Sequence, residues 1–180
     1  MELVISLLQK GLLEKALDLA ISESFFNARS PDDIKKALKI GYDINAVNSN
    51  GNNPIFACRT LEAMDCLLSY GINIHHINGH GQNALFHQKN PEILKKLIEL
   101  GLDTSHTDTN GYTCIFEHYR NAEGLTELIN AVCDINHIDK KGMNILFMPL
   151  SPEVLSVAID AGCNVNQIDH SGKGFIENVY

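Results

Sequence analysis

Glycines recur along this chain at a fixed spacing, and this pattern constrains the fold more than any other feature of the sequence. Pairs of glycines ten residues apart stand at Gly41 and Gly51, Gly71 and Gly81, Gly101 and Gly111, and Gly162 and Gly172. One further copy keeps only the second glycine, Gly142, and has Val132 in the first position. The second glycines are separated by 30, 30, 31 and 30 residues. A period of this length indicates an array of repeated supersecondary units.

Residues that favour the start and end of a helix recur with the same spacing as the glycines. A residue suited to the N-cap occupies one column, as Ser30, Thr60, Asn90, Asn121 and Ser151. The next positions hold proline in three copies and then an acidic residue in all five, which favours the first turn of a helix. The first glycine of each pair follows at the place of a left-handed C-cap. The pattern predicts one helix of about ten residues per repeat, and the helix that ends near Gly71 should begin at Leu61, within two residues.

The segments between these helices complete the repeating unit. The stretch between paired glycines is rich in Asn and Asp, which predicts a turn or hairpin. An apolar pair such as Leu85-Phe86 follows the second glycine, with room for about one and a half helical turns before the next cap. Each unit is therefore predicted to contain a hairpin, a short helix and a longer amphipathic helix. The sequence predicts an all-α repeat solenoid.

The turn segment resembles the signature of the ankyrin repeat family. Its consensus reads Gly-x-Asp-Ile-Asn-x-x-Asp-x-x-Gly, and the resemblance covers roughly residues 26–176. It implies an ankyrin-like stack of helix pairs joined by β-hairpin loops. The chain departs from the family in its period of 30 instead of about 33, and in having Asn83-Ala84-Leu85-Phe86 where the family has Thr-Pro-Leu-His. These shortened repeats are similar to those of bacterial ankyrin proteins, including some secreted effectors.

We interpret residues 1–180 as a single ankyrin-like repeat domain. Residues 1–40 are assigned to an N-terminal helical cap with the first helix pair, residues 41–161 to the repeats, and residues 162–180 to a C-terminal half-repeat cap. One repeat is irregular, because Val132 replaces the C-cap glycine and one extra residue lies within 117–121. We therefore predict an altered C-cap and a bulged short helix there.

Composition excludes several classes of function. The chain carries a net charge of −8, and its basic pairs Lys35-Lys36 and Lys95-Lys96 recur at one helix position as solvated faces, so we expect no nucleic-acid binding. No stretch approaches the roughly 18 consecutive apolar residues of a membrane helix, and the N-terminus lacks the features of a signal peptide. The five cysteines include no C-x-x-C motif, and we predict that they are buried free thiols in a reducing compartment. The expected location is cytoplasmic, or a host cytosol if the protein is an effector.

Eight histidines raise the possibility of a metal site. His76, His106 and His137 share one column, and residues one repeat apart are too distant to share a zinc ion. We therefore expect each imidazole to bond backbone between neighbouring hairpins. No catalytic or cofactor motif is present, so we expect no enzyme activity, no cofactor and no bound metal.

The remaining feature is surface that the repeat does not explain. In ankyrin-like stacks the hairpin tips and short helices line one concave face, and interfaces favour Tyr, Arg and Met. The candidate partner-binding residues are Tyr112, Tyr119, Arg120, Met143, Met148, Lys140, Lys141, His80, His87 and His118. The acidic net charge favours a basic partner.

The sequence thus predicts a non-catalytic protein–protein interaction module that is a monomer when free. Two roles are open within this class: an inhibitor or immunity protein for a toxin or enzyme, and a partner-recruiting domain of a secreted bacterial effector. The alternative from a different functional class is an enzyme, a metal-dependent hydrolase that uses the histidines.

Overall fold

α-Helices and shorter 3₁₀ helices alternate along the chain. The structure is a computed structural model that describes residues 10–12, 19–27 and 29–178. Five nine-residue α-helices lie within the described residues: α1 (Pro31–Lys39), α2 (Leu61–Ser69), α3 (Pro91–Glu99), α4 (Ala122–Asn130) and α5 (Pro152–Asp160). Five 3₁₀ helices accompany them: η1 (Pro54–Ala57), η2 (Ala84–Phe86), η3 (Cys114–His118), η4 (Ile145–Phe147) and η5 (Phe175–Asn178). The described part of the chain is therefore all-helical, and α2 begins at the predicted residue, Leu61.

The chain divides into two compact units, Met1–Asn73 and Ile74–Tyr180. In the first unit α1 packs against α2. In the second unit α3 packs against α4 and α4 against α5, while η2 contacts η3 and η4 contacts η5. Residues 19–27 are helical, and the rest of the predicted N-terminal cap, residues 1–9, 13–18 and 28, lies outside the described residues. The assignment of all 180 residues to a single domain stays a prediction.

Side-chain caps begin each of the helices α1–α5, as the sequence predicts. Each N-cap side-chain oxygen accepts a backbone N–H of the first turn, in Ser30, Thr60, Asn90, Asn121 and Ser151. Proline occupies the first position of α1, α3 and α5, where its missing N–H has no helical partner to lose. These caps fix the start of each helix, and their regular spacing places the short helices in the same position of every repeat.

Positive backbone φ angles end the α-helices. Gly71 has φ +79° and Gly101 has φ +89°. Val132 stands in the same position after α4 with φ +63°, the one non-glycine residue with positive φ in the described chain. The left-handed geometry is therefore retained despite the β-branched side chain, which is 89% exposed and gains nothing from packing. The predicted alteration of this C-cap is therefore wrong. The prediction of a bulged short helix agrees with η3, which spans five residues, whereas the other four 3₁₀ helices span three or four.

Val132→Gly is expected to raise the free energy of unfolding by about 0.5–1 kcal/mol. The left-handed conformation costs a non-glycine residue on the order of 1–2 kcal/mol, and the greater freedom of glycine in the unfolded chain offsets part of the gain. Urea denaturation of the variant beside the wild type measures the difference, with Gly101→Val as a reciprocal control that should be destabilised. A less stable Val132→Gly variant would contradict this account of the C-cap.

The loops between α-helices and 3₁₀ helices are turns built around one polar column. In each, the backbone N–H of the residue at the start of the turn donates to the carbonyl oxygen of the residue four positions later, as from Asp108 to Tyr112 at 2.9 Å. Its carboxylate accepts from the N–H of Asn110 and Tyr112. Among the described residues the only β-pairing is an isolated antiparallel bridge between Ile168 and Gly174. The β-hairpins expected from the family resemblance are therefore not confirmed.

A second polar column ties each short helix to the following loop. Asn53, Asn83 and Asn144 each donate from Nδ2 to the carbonyl oxygen of the residue 20 positions later, at 2.9–3.0 Å. Asn83 and Asn144 also accept the N–H two residues ahead. Thr113 stands in this column in the irregular repeat, and its Oγ1 is buried without a hydrogen-bond partner. A threonine is too short to make the bond across the repeat.

Thr113→Asn is expected to stabilise the chain by about 1 kcal/mol, the net value of an added hydrogen bond to a buried group. The new amide would bond the following loop as Asn83 and Asn144 do. Thermal and urea denaturation measure the change, and Thr113→Val, which removes the buried hydroxyl without adding a bond, separates the two contributions. An Asn variant no more stable than the Val variant would show that the amide does not reach the loop.

Candidate binding surface

The ten residues predicted from the sequence to bind a partner all lie in the second compact unit. Arg120, Lys140, Lys141, His80 and His87 are exposed, and Tyr112, Tyr119, Met143 and Met148 are half-buried. His118 is fully buried. The structure therefore leaves nine of these side chains available to a partner and places one in the interior.

Turns and short helices of the second unit are joined by contacts that hold the exposed residues in place. Backbone bonds link successive turns, from Thr109 N–H to His80 O at 3.2 Å and from His170 N–H to Lys141 O at 2.8 Å. The ring of Tyr112, which follows Gly111, stacks on Phe116 of η3 with centroids 4.7 Å apart. We name the four exposed turns 79–82, 109–112, 140–143 and 170–173 the tip row.

Histidine and glutamine side chains support the tip row from below. His106 Nε2 donates to Gly81 O at 2.7 Å, and His137 Nε2 donates to Gly111 O at 2.8 Å. Gln167 stands in the same column and donates to Gly142 O at 2.9 Å. The prediction that His106 and His137 bond the backbone of a neighbouring turn is confirmed. Their ring nitrogens hold a turn in place, because each donates to a carbonyl of the preceding repeat.

Tyr112 has a mixed role. Its stacked, half-buried ring is part of the packing around Phe116, and burial together with the carboxylates of Asp139 and Asp108 raises the pKa of its hydroxyl. Removal of this ring would disturb the short helix as well as the surface. Tyr112 is therefore a poorer probe of binding than Tyr119.

Tyr119 and Arg120 lie where η3 ends, beside the start of α4. The Tyr119 carbonyl accepts the N–H of Ser151 at 3.1 Å, which fixes the backbone here. The guanidinium carbon of Arg120 lies 5.4 Å from the centre of the Tyr119 ring, in a cation–π contact. Arg120 makes no hydrogen bond or ion pair with the part of the chain that the structure describes. Its five N–H donors are available to an outside acceptor.

A surface hollow of about 450 Å³ surrounds this pair, lined by Lys89, Glu117, Tyr119, Arg120 and Asn121. Lys89 Nζ donates to the carbonyl oxygen of Glu117 at 2.6 Å. Desolvation lowers the pKa of the Lys89 ammonium, and the charge of Glu117 partly opposes this effect. Sequence reasoning did not select Lys89, Glu117 or Asn121. The signal that marks them is the extra residue within 117–121, which coincides with the longer η3 and with the hollow.

His118 is fully buried next to this hollow in sequence, which corrects the prediction that it binds a partner. Its Nε2–H faces Leu85 O at 3.5 Å, and Asn121 Nδ2 donates to its Nδ1 at 3.3 Å. Burial, together with the positive charge of Lys89, lowers the pKa of His118 to about 4. The imidazole is neutral and faces the interior, in a column that is also buried in two preceding repeats, at Cys58 and Gln88.

Acidification is expected to destabilise the protein through His118. The folded-state pKa of about 4 lies below the unfolded value of 6.5, so the stability contribution is complete above pH 6.5 and is lost as pH falls toward 4. The expected loss is about 2 kcal/mol between pH 7 and pH 5. Urea denaturation at several pH values measures it. His118→Gln is the matched control, because Gln88 occupies the equivalent buried position one repeat earlier. Identical pH profiles for wild type and variant would contradict the assignment.

The remaining residues predicted to bind a partner differ in how firmly their side chains are held. Lys140 Nζ donates to Thr109 O at 2.7 Å, so its stem lies across the preceding turn. Lys141 is exposed, and its backbone N–H is bound to Asp139. Met143 and Met148 are half-buried, beside the turn and at the end of η4. His87 bonds the Gln82 side chain at 2.8 Å, and desolvation and the charge of Lys89 lower its pKa.

The described residues also bear on metal binding, thiol chemistry and membrane insertion. In the described residues, no group of three or more His, Cys, Asp or Glu side chains is arranged to hold a metal ion. All five cysteines are free and buried, as predicted. No helix among the described residues has the length and apolar character required to span a membrane.

Comparisons with known proteins show similarity to solved structures. No protein-family model matches the chain, and no curated protein does. Solved structures match in large number, 434 chains in all. One match is a chain in the structure of a predatory endopeptidase from Bdellovibrio bacteriovorus in complex with an immunity protein. It has a TM-score of 0.65 and 20% sequence identity over 86% of this chain and 89% of that chain. At this identity the two chains share a fold.

Proposed function

We propose that this protein is a non-catalytic inhibitor of the immunity type, which binds a bacterial endopeptidase or a similar enzyme and blocks it. We further propose that its repeats form an ankyrin-like solenoid whose tip row and short helices make up the concave binding face. The similarity to a chain of an endopeptidase–immunity protein complex supports this role. The observation in the chain itself that carries the proposal is the contact between half-buried Tyr119 and exposed Arg120, beside a surface hollow.

The surface chemistry fits a protein partner. Aromatic and arginine side chains dominate binding energy at protein interfaces, because they bury large areas and make directional bonds. Here Tyr119 and Arg120 stand on a backbone fixed by the Ser151 bond, so little conformational freedom is lost on binding. Half-buried Met143 and Met148 add apolar surface that adapts to a partner.

A hydrolase that uses the histidines is less well supported by the same contacts. His106 and His137 donate to backbone carbonyls, and His118 is buried as a neutral imidazole. A metal ligand needs a ring nitrogen directed at the ion, and these rings direct theirs at the fold. No observation favours the effector role over the inhibitor role.

Titration of purified endopeptidases from the same organism with this protein tests the proposal. One of them should lose its activity in proportion to the added chain, with an endpoint at one molecule per enzyme molecule. Co-expression with that enzyme should protect the cells that produce it. Heat-denatured chain is the control for non-specific effects. Full activity of every endopeptidase in excess inhibitor would contradict the immunity role.

A further inference from the structure

The hollow beside α4 carries an uneven distribution of charge. Two cations, Lys89 and Arg120, line it together with one carboxylate, Glu117. Glu117 lies beside Lys89 and acts on its pKa, so these two charges largely balance each other. Arg120 is left as the uncompensated charge. An anion that enters the hollow would meet a net positive charge close to a partly desolvated ammonium, where electrostatic attraction is stronger than in water.

The donors in the hollow are already oriented. Both Asn121 N–H groups are used, on Lys89 O at 3.1 Å and on His118 Nδ1 at 3.3 Å, and its Oδ1 accepts from Gly124 N–H. Asn121 therefore fixes the floor and offers no donor to a ligand. The guanidinium of Arg120 lies over the Tyr119 ring, and the side chain is exposed. A planar fork of this kind pairs with a carboxylate through two parallel bonds.

The tip row carries further positive charge. Its four turns contain Lys140, Lys141 and Lys173 and no aspartate or glutamate, and the three lysines are exposed. The aspartates that directly precede three of the turns accept turn N–H groups with their carboxylates, at Asp108, Asp139 and Asp169. The net charge favours a basic partner at long range, whereas this surface favours an acidic one on contact.

We propose that the hollow is a recognition site for an aspartate or glutamate side chain of the partner protein, which pairs with Arg120 and Lys89 while its apolar stem packs on the Tyr119 ring. This proposal rests on the inhibitor function above and specifies the chemistry of its anchor. The volume of about 450 Å³ accommodates a carboxylate together with its stem and neighbouring backbone. A lysine or arginine of the partner is disfavoured, because the hollow carries a net positive charge, that of Arg120.

Short peptides test the site without the partner enzyme. Acetyl-Ala-Glu-Ala-amide and its glutamine counterpart are titrated at low ionic strength into the isotope-labelled chain, and the Nε–H signal of Arg120 is followed by NMR. The glutamate peptide should shift this signal saturably, with at least ten-fold higher affinity than the glutamine peptide. Equal responses to the two peptides, or shifts confined to other residues, would overturn the proposal.

Three variants sharpen this test. Arg120→Gln should abolish the difference between the peptides, and Glu117→Gln should tighten the glutamate peptide several-fold because the opposing charge is removed. Lys95→Gln, on the exposed face of α3, should change nothing. Weaker binding in Glu117→Gln would overturn the proposal even if the wild type responds. If the peptides behave as expected and no endopeptidase is inhibited, the immunity role fails alone. Inhibition that Arg120→Gln leaves unchanged refutes only the carboxylate site.

Discussion

Replacement of Phe116 by alanine is expected to lower the free energy of unfolding by about 3–5 kcal/mol, the usual cost of removing a fully buried phenylalanine. Phe116 is 1% exposed, stacks on Tyr112, and meets the ring of His137 edge-on with centroids 6.1 Å apart. His137 in turn holds the turn at Gly111. The deletion therefore removes packing and also loosens a hydrogen bond that supports the tip row.

Phe147 provides the matched control for this prediction, because it stands in the same repeat column and is half-buried. Phe147→Ala should cost markedly less, about 1–2 kcal/mol, in proportion to the apolar area that it buries. Urea denaturation followed by circular dichroism measures both variants. Equal losses at the two positions would show that the packing around Tyr112 and His137 contributes nothing beyond the side chain itself.

Arg120→Glu is expected to weaken partner binding at least 100-fold, or about 3 kcal/mol, because it reverses the uncompensated charge at the centre of the surface. Tyr119→Ala should weaken binding by about 2 kcal/mol through lost contact area and a less ordered Arg120. Both effects should appear mainly in the dissociation rate. Calorimetric titration against the inhibited enzyme measures the affinities, and surface plasmon resonance measures the rates.

Lysines on the outer faces of the α-helices provide the controls for binding. Alanine at Lys35, Lys36, Lys95 or Lys96 should change the affinity by less than about 0.5 kcal/mol, as is usual for surface positions outside an interface. Melting curves of Tyr119→Ala and Arg120→Glu should match the wild type, because these side chains are not part of the core. If the lysine variants bind weakly and the Tyr119 variant does not, the partner uses the opposite face.

Local backbone chemistry was predictable from the sequence. A helix start at Leu61 follows from the cap at Thr60. The glycine column also accounts for the left-handed geometry at Val132, where an altered C-cap was wrongly expected because the glycine is missing. These features depend on residues within a few positions of each other, so the repeat period reveals them. The role of His106 was predictable for the same reason, since one column implies one repeated contact.

Features that depend on a break in the period were not predictable in the same way. The extra residue within 117–121 could be read from the spacing, but the contact between Lys89 and Glu117, 28 residues apart, could not. His118 was misassigned for a different reason, because its column is also buried at Cys58 and Gln88. The β-hairpins came from the family resemblance, whereas the described loops are closed by side chains such as Asp108 and by single backbone bonds.

Hydrogen-exchange mass spectrometry of the protein alone and with the inhibited enzyme tests the central claim most directly, because it maps the contact surface without any substitution. The account predicts that binding slows exchange in peptides that cover 109–120 and 140–148. It also predicts unchanged exchange in the exposed faces of α1 and α3. Protection confined to α1 and α3, with none around Tyr119 and Arg120, would contradict the proposed binding surface.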